Sequence, residues 1–560
     1  MPNRAETAQR LREQPDVPVL ILGGGVNGCG LLRELALQGV DALLVDKADF
    51  VAGASSKSSR MIHGGLRYLE HREFALVRES LVERNRLLEN AAHTVSPLRT
   101  TIPLYSWLGG LVRSSLIFLG IPVRPGGRGA LITKLGLTFY DFVTRKRRLT
   151  PKHGFRSREE ALAEVRGLDP GIVAAATYYD AQISQAERLC IELLADAHAA
   201  HDGCRAVNYV RPLRLDGGAA VFGDETTGEK VRVRPQILVN ATGAWVDVTN
   251  AGLGIETHFM GGTKGSHLIV DNPRLHEALG DRMVYYQHTD GRVCIVFPVE
   301  DKVLMGSTDI RVDDPEAARC DADEVDYMLT TLRTVFPGIA LAREEIVFAF
   351  CGVRPLPAAE AGVTANISRG HSLRVLEAEG DRPFPVLCLV GGKWTTFRAL
   401  AEQAADRVLE RLGRQRRQSS DTLPIGGGHR MPQDADARQA WIARVAEASG
   451  LAPERVATLL ARYGTAAEAY AASAEARGET PLAALPDYTD AEVRRIAAEE
   501  QVVHLDDLVC RRSTIALTGR ATAEALAELA RVVGDVLGWD DARQAEEVRR
   551  TLKEVAVPGA

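Results

Sequence analysis

Short, unbroken apolar runs ending in small residues recur along the chain, each followed by a stretch of helical period. Val19–Leu22 runs into Gly23 and Gly25, then into an amphipathic stretch and a second apolar run that ends at Asp46. "PQILVNATGAWVD", residues 235–247, repeats the pattern and ends in Ala241 to Gly243. "LCLVGGKWTTFRALAEQAADRVL", residues 387–409, does so again, with Gly391 and Gly392 before Thr395 and Thr396 open a helix. Runs without polar alternation suit parallel strands covered on both faces. The pattern predicts an α/β fold whose central sheet is assembled from distant pieces of chain. From about residue 432 the sequence becomes rich in Ala, Glu and Arg with helical period, as in "APERVATLLARYG". Thr489-x-x-Glu492 and Thr465-x-x-Glu468 read there as capping boxes, in which threonine and glutamate side chains satisfy free N–H groups at a helix start. The polar, glycine-containing stretch before it, residues 411–434, reads as a linker.

Gly23, Gly25 and Gly28 fit G-x-G-x-x-G at the junction of strand and helix. The first allows a tight turn, the second lets backbone approach a pyrophosphate, and the third packs helix on strand. The helix N-terminus offers unpaired N–H groups and partial positive charge to that pyrophosphate. Asp46 stands where an acid meets a ribose hydroxyl. A nicotinamide domain of this kind is usually contiguous. The further small-residue turns at Ala241–Gly243 and Gly392–Thr395 point instead to a long cofactor buried end to end, FAD.

Bulk composition narrows the function. A net charge of -6 over 560 residues gives no reason to expect nucleic acid. Eight cysteines stand singly, with no CxxC pair and no His/Cys cluster at metal-ligand spacing, so a reduced compartment and no metal are expected. The polar N-terminal stretch lacks the apolar core of a signal peptide. No apolar stretch reaches the roughly 20 residues of a membrane-spanning helix. "WLGGLVRSSLIFLGIPV", residues 107–123, is nevertheless apolar except for Arg113 and two serines, and basic Arg145–Arg148 follows. It is either an interfacial membrane contact, with Trp107 and Phe118 as anchors and Lys134 and the basic run facing headgroups, or a buried element of the fold.

"VAGASSKSSRMIHGGLRYLEH", residues 51–71, concentrates hydroxyls, small residues and cations in one loop. Together with "LGGGVNGCG", "YYDAQ", "VNATGAWV", "TKGSHLIV", "MGSTD", "CGVRPL" and "GGKWTTFRALAE", it makes the chain resemble the respiratory FAD-dependent glycerol-3-phosphate dehydrogenases over almost its whole length. The resemblance implies a Rossmann-like FAD-binding domain, an antiparallel-sheet substrate domain and a C-terminal helical domain. In residues, these are 1–100 with 176–255 and 346–412; 101–175 with 256–345; and 432–560. A packing or oligomerisation role suits the helical tail, which leaves a homodimer open.

Oxidising glycerol 3-phosphate at C2 requires a held phosphate, a proton acceptor and a hydride acceptor. Arginine forks suit the phosphate, and Arg67 and Arg369 match the family's phosphate ligands, with Tyr68 as a hydrogen-bonding neighbour. His63 and His267 match family active-site positions, and either is eligible as the base. Arg354 and Lys393 match the cations near the reacting carbon and the flavin ring, where fixed charge stabilises the transition state. Ser55 and Ser56 are expected to face the cofactor, with Ala241, Gly243, Gly392 and Thr395. Three departures from the family stand out: "ISQAERL" after "YYDAQ", no tyrosine after Thr308-Asp309, and a longer apolar segment at 104–131. The resemblance implies electron delivery to quinone, hence a peripheral position on the cytoplasmic side of the inner membrane. Oxygen as acceptor, or a related small hydroxy or amine substrate, are the alternatives; a non-catalytic FAD-binding sensor is the least favoured.

Overall fold

A computed structural model describes residues 1, 3–65, 73–109, 129–145, 148–288, 290–358 and 370–559. Arg67, Tyr68, Arg369 and most of the apolar segment 107–123 lie outside them.

The first sheet has the strand order Ser372–Leu376, Val386–Val390, Lys230–Asn240, Asp16–Leu22, Ala42–Val45, Cys204–Val207. All neighbours along it run parallel except the antiparallel edge pair 372–376 and 386–390. A hairpin, Val210–Asp216 and Ala219–Asp224, extends the far end of Lys230–Asn240. Alternate residues of the first strand enter different cores. Val19 and Ile21 pack under the helices Val26–Leu37, Ala186–Ala200 and Phe397–Arg411, whereas Leu20 and Leu22 pack with Phe222, Val231 and Val246 on the opposite face. Burial on both faces explains the unbroken apolar runs.

Among the described residues the second sheet holds ten strands, running from Ile310–Arg311 through Thr263–Val270, Lys302–Gly306, Val293–Val299, Arg282–Gln287, Val95–Leu104 and Ala174–Ile183 to Met61–Ile62. Ile346–Arg354 pairs along Thr263–Val270, and Gly154–Ser157 along Ala174–Ile183. The sheet is antiparallel except where Arg282–Gln287 runs parallel to Val95–Leu104. Strands Val95–Leu104, Ala174–Ile183 and Ile346–Arg354 belong wholly to this second sheet, although 95–100, 176–183 and 346–354 were assigned to the FAD-binding part. Their partners are distant in sequence, so periodicity shows that they are strands without showing which sheet they join.

The C-terminal helices Ala435–Ser449, Pro453–Tyr463, Ala467–Arg477, Asp490–Glu499, Ala523–Leu537 and Asp541–Val555 surround a separate core that includes Val456, Leu460, Ile496, Leu505 and Leu529. Thr489 supplies the threonine half of the expected box, its hydroxyl accepting the Glu492 N–H, while the Glu492 carboxylate accepts from Arg455, Arg462 and Tyr463 instead. Thr465 does not cap. It lies in a 3-10 turn and donates to the carbonyls of Gly427 (3.1 Å) and His429 (2.6 Å), tying the linker to the helices.

Candidate functional site

A cavity of about 1340 Å³ lies between the ends of the parallel strands and one face of the second sheet. One end is the dinucleotide cradle, lined by Gly23, Gly25, Asp46, Ser55, Ala241 and Gly243; His63, His267, Arg354, Gly392, Lys393 and Thr395 line it as well. Two of the expected cofactor residues do not line it. Gly28 sits behind the wall, where an added Cβ would come 1.9 Å from the Gly23 carbonyl oxygen, so only glycine lets this helix pack so near the turn. Ser56 points elsewhere and donates to the Gly53 carbonyl (3.2 Å). Ser55 lines the cavity, and its hydroxyl accepts the Val26 N–H at the first residue of the helix, whose N-cap is Gly25 (3.0 Å).

Asp46 follows the strand Ala42–Val45, half-buried at the cavity wall, accepting the N–H groups of Gly24 (2.6 Å) and Ala48 (2.9 Å). Burial pushes its carboxyl up to about 6 despite those two donors. Lys47, beside it, pairs with Glu316 and lies over the Trp245 ring at 5.1 Å. Three polar atoms of lining residues, Asn27 Oδ1, Trp245 Nε1 and His267 Nδ1, are buried without a hydrogen-bond partner among the described residues. Orphaned groups beside a glycine-walled cradle fit a polar ligand as long as FAD.

His63 is held through its backbone. Thr395 donates its hydroxyl to the His63 carbonyl (3.2 Å), and the next N–H, that of Gly64, donates to Asp180 Oδ1 (2.9 Å). The same oxygen accepts the Tyr140 hydroxyl (2.7 Å) and Arg84 Nη1 (3.2 Å), while Arg84 also donates to the Tyr140 oxygen (2.8 Å). Arg84 and Asp180 are almost completely buried. Neither Asp180 nor Arg84 was expected at the site, although Asp180 is the acid of "YYDAQ".

His267 lies on Thr263–Val270, its ring stacked on Phe350 (5.1 Å between centroids, 15°) and its Nε2 sharing a 2.7 Å hydrogen bond with Ser59. Burial first, and then the charges of Arg354 and Arg60, push its pKa down to about 3. The imidazole is therefore neutral across the physiological range. Arg354, at the end of Ile346–Arg354, pairs with Asp309 (3.1 Å) and donates to Ser307 Oγ (2.9 Å) and to the carbonyls of Thr308 (3.0 Å) and Lys264 (3.2 Å). Gly265 makes room for it: a Cβ there would lie 2.2 Å from Arg354 Nη2. Lys393 donates to Ser80 Oγ (2.8 Å) on the helix Phe74–Asn90. Lys57, Arg292, Arg311 and Arg319 add cationic side chains to the lining. No cluster of potential metal ligands occurs among the described residues.

The cavity thus joins a dinucleotide cradle to a chamber of imidazoles and cations. A family model described as FAD dependent oxidoreductase matches residues 18–407, and one described as the C-terminal domain of alpha-glycerophosphate oxidase matches residues 418–544. A glycerol-3-phosphate dehydrogenase of Synechocystis sp. is 33% identical over 95% of each chain. The aerobic glycerol-3-phosphate dehydrogenase of Escherichia coli is 32% identical over 70% of this chain and 73% of its own. A D-erythritol 1-phosphate dehydrogenase of Brucella abortus is 30% identical over 90% and 95%. The fold is shared with the crystal structure of glycerol-3-phosphate dehydrogenase from Bacillus halodurans complexed with FAD, at TM-score 0.75 and 20% identity over 100% of this chain and 98% of that one. The chain belongs to the FAD-dependent glycerol-3-phosphate dehydrogenase family of FAD-dependent oxidoreductases.

Proposed function

We propose that the protein oxidises sn-glycerol 3-phosphate to dihydroxyacetone phosphate and passes the electrons to a quinone. The observation that carries this reading is the single cavity that brings the dinucleotide cradle together with His63, His267, Arg354 and Lys393. FAD supplies the hydride acceptor. The C2 hydrogen leaves with its electron pair, the O2 proton passes to a base, and C2 becomes a carbonyl.

His63 is the better base of the two histidines. A general base works best with a pKa near the operating pH, and His267, held down to about 3 with Nε2 engaged by Ser59, is far from that. His267 is suited to orienting the C2 hydroxyl. Arg354 and Lys393 are fixed cations for the negative charge that develops as O2 loses its proton. The phosphate falls to Arg67 and Arg369, with Tyr68 beside them, on the family resemblance.

Quinone resides in the bilayer, and the described residues offer a surface for reaching it. On the helix Ala130–Thr144, Leu131, Leu135, Phe139 and Phe142 form one exposed stripe, and Trp107 and Leu108 stand nearly two-thirds exposed, at 62% and 66%. Lys134 and Arg145 are exposed on the same helix and at its end. Among the described residues no helix is long and apolar enough to cross a membrane. In this reading, which rests on the family resemblance for the cytoplasmic face, the enzyme lies peripherally with this stripe at the acyl boundary. The test is a steady-state comparison of a short-chain quinone with molecular oxygen as acceptor, using glycerol 3-phosphate, erythritol 1-phosphate and glycerol as donors. Turnover with glycerol 3-phosphate and quinone is expected; comparable peroxide formation in air would make the protein an oxidase, and preference for the four-carbon phosphate would reassign the donor.

A further inference from the structure

The C-terminal helices reach the FAD site from behind. Residues 46–55 leave the strand Ala42–Val45 and wall the cavity with Asp46, Lys47, Ala48 and Ala52 to Ser55. Between them Asp49, Phe50 and Val51 turn away and are buried. Asp49 is gripped from the C-terminal domain. Arg512 forks onto both of its oxygens (2.8 and 2.8 Å), and Arg511 Nε donates to Oδ2 (2.5 Å). Arg511 is itself held by Asp506 (2.7 Å) and Asp507 (2.6 Å). The π-helical turn Leu508–Arg512 carries the two consecutive arginines, and both are buried.

A second arm grips the same loop. Asp46 and Ala48 pair through their backbones with Val207, Tyr209 and Val210 at distances of 2.7 to 3.1 Å. Tyr209 donates its hydroxyl to Asp507 (2.6 Å), and Gln501 donates to the Ala206 carbonyl (2.9 Å). Asn208 bridges the arms, donating to Asp49 (2.9 Å) and to the Gln501 carbonyl (3.0 Å). Replacing a buried charge cluster of this kind with apolar residues often leaves stability unchanged or improved. Stability alone is therefore a poor reason for its presence; fixing the geometry of the loop is a better one.

We propose that the C-terminal helical domain is a positioning part of the FAD site, with Arg511 and Arg512 setting the loop 46–55 through Asp49 and Tyr209 setting it through Asp507. The proposal needs FAD in this cavity and is indifferent to the identity of the substrate. The charge of the arginine pair keeps Asp49 ionised in full burial, so the fork stays closed at neutral pH.

The test uses the full chain stripped of flavin and titrated with FAD alone, followed by quenching of flavin fluorescence. Arg512→Lys keeps the charge and loses the fork; Tyr209→Phe removes one hydroxyl from the other arm. Loss of charged hydrogen bonds in Arg512→Lys is expected to raise the FAD Kd by about tenfold or more, and Tyr209→Phe by about threefold. Amides of 46–55 in the apoprotein should exchange faster in both variants, while those of the helix Ala523–Leu537 keep their protection. FAD affinity unchanged in both variants, or loss of protection spread evenly over the C-terminal helices, overturns the proposal. If Arg512→Lys does not fold, Tyr209→Phe decides by the same criterion, since an unchanged FAD Kd there removes the second arm. Because no donor substrate is present, the outcome is separate from whether glycerol 3-phosphate is oxidised.

Discussion

Replacing Asp180 by asparagine probes the link between a buried charge and the geometry of His63. The carboxylate is buried with Arg84, and one of its oxygens accepts from Gly64, Tyr140 and Arg84 within 3.2 Å. Asparagine keeps the volume and removes the charge, leaving the Arg84 guanidinium buried without its counter-ion. Breaking a buried pair from one side costs about 3–5 kcal/mol. Part of that is recovered because Arg84 also donates to Asn85 Oδ1 (3.1 Å) and to the Tyr179 carbonyl (3.2 Å), so the lower end of the range is expected. The kinetic consequence passes through Gly64. With the Gly64 N–H held less firmly, the His63 backbone loses one of its fixed points beside the Thr395 contact, and a displacement on the order of 1 Å at the base slows chemistry by about 100-fold. Tyr140→Phe removes one of three donors and retains the ion pair, so it should slow reduction less than Asp180→Asn does. The assay is anaerobic stopped-flow reduction of bound flavin at saturating glycerol 3-phosphate, beside urea unfolding of the same samples. An Asp180→Asn protein that is destabilised but reduces its flavin at the parent rate would refute the positioning argument.

Arg354→Met should retain FAD and slow flavin reduction by about 100-fold, because it removes a cation aimed at developing charge; an unchanged limiting rate would show that the Asp309-paired guanidinium is structural. His267→Gln should change how stability depends on pH. The unfolded chain takes up a proton at this histidine near 6.5 and the folded chain only near 3, so the parent loses stability as pH falls through that window. The deficit of His267→Gln relative to the parent, read as thermal midpoints, should therefore shrink between pH 6.5 and 4, and a constant deficit contradicts the buried, neutral ring. Leu135→Ser combined with Phe142→Ser should lower binding to anionic lipid vesicles and quinone reduction while dye-linked oxidation persists; loss of flavin from that variant would place the stripe in the core instead.

What was legible in the sequence was local. Gly23, Gly25 and Gly28 follow a strand and open a helix, and neighbouring residues alone determine that turn. The two later glycine turns were readable for the same reason, as was the Thr489 cap, whose partner is one helical turn away. Pairings between distant segments were not. Nothing near Val95 or Ile346 signals which sheet those strands complete, because sheet membership is decided by partners far along the chain. Thr465 had the spacing of a cap, yet its hydroxyl found two carbonyls of the linker. The Asp49–Arg512 fork joins residues 463 positions apart, and an aspartate in "DKADF" or an arginine pair in "CRRS" looks like solvated surface on its own. Asp180 was visible as part of a motif, but its role depends on Arg84 and Tyr140 converging from two helices. His63 and His267 both match family active-site positions; that burial and the nearby arginines push the His267 pKa down is visible only in three dimensions.

Anaerobic mixing of the purified, FAD-loaded protein with sn-glycerol 3-phosphate, its C2-deuterated form and glycerol tests the central claim most directly. The account predicts that the phosphate ester bleaches the flavin, that deuterium at C2 slows the bleaching, and that glycerol leaves the flavin oxidised. Equal bleaching by glycerol, or no reduction by glycerol 3-phosphate, would contradict it.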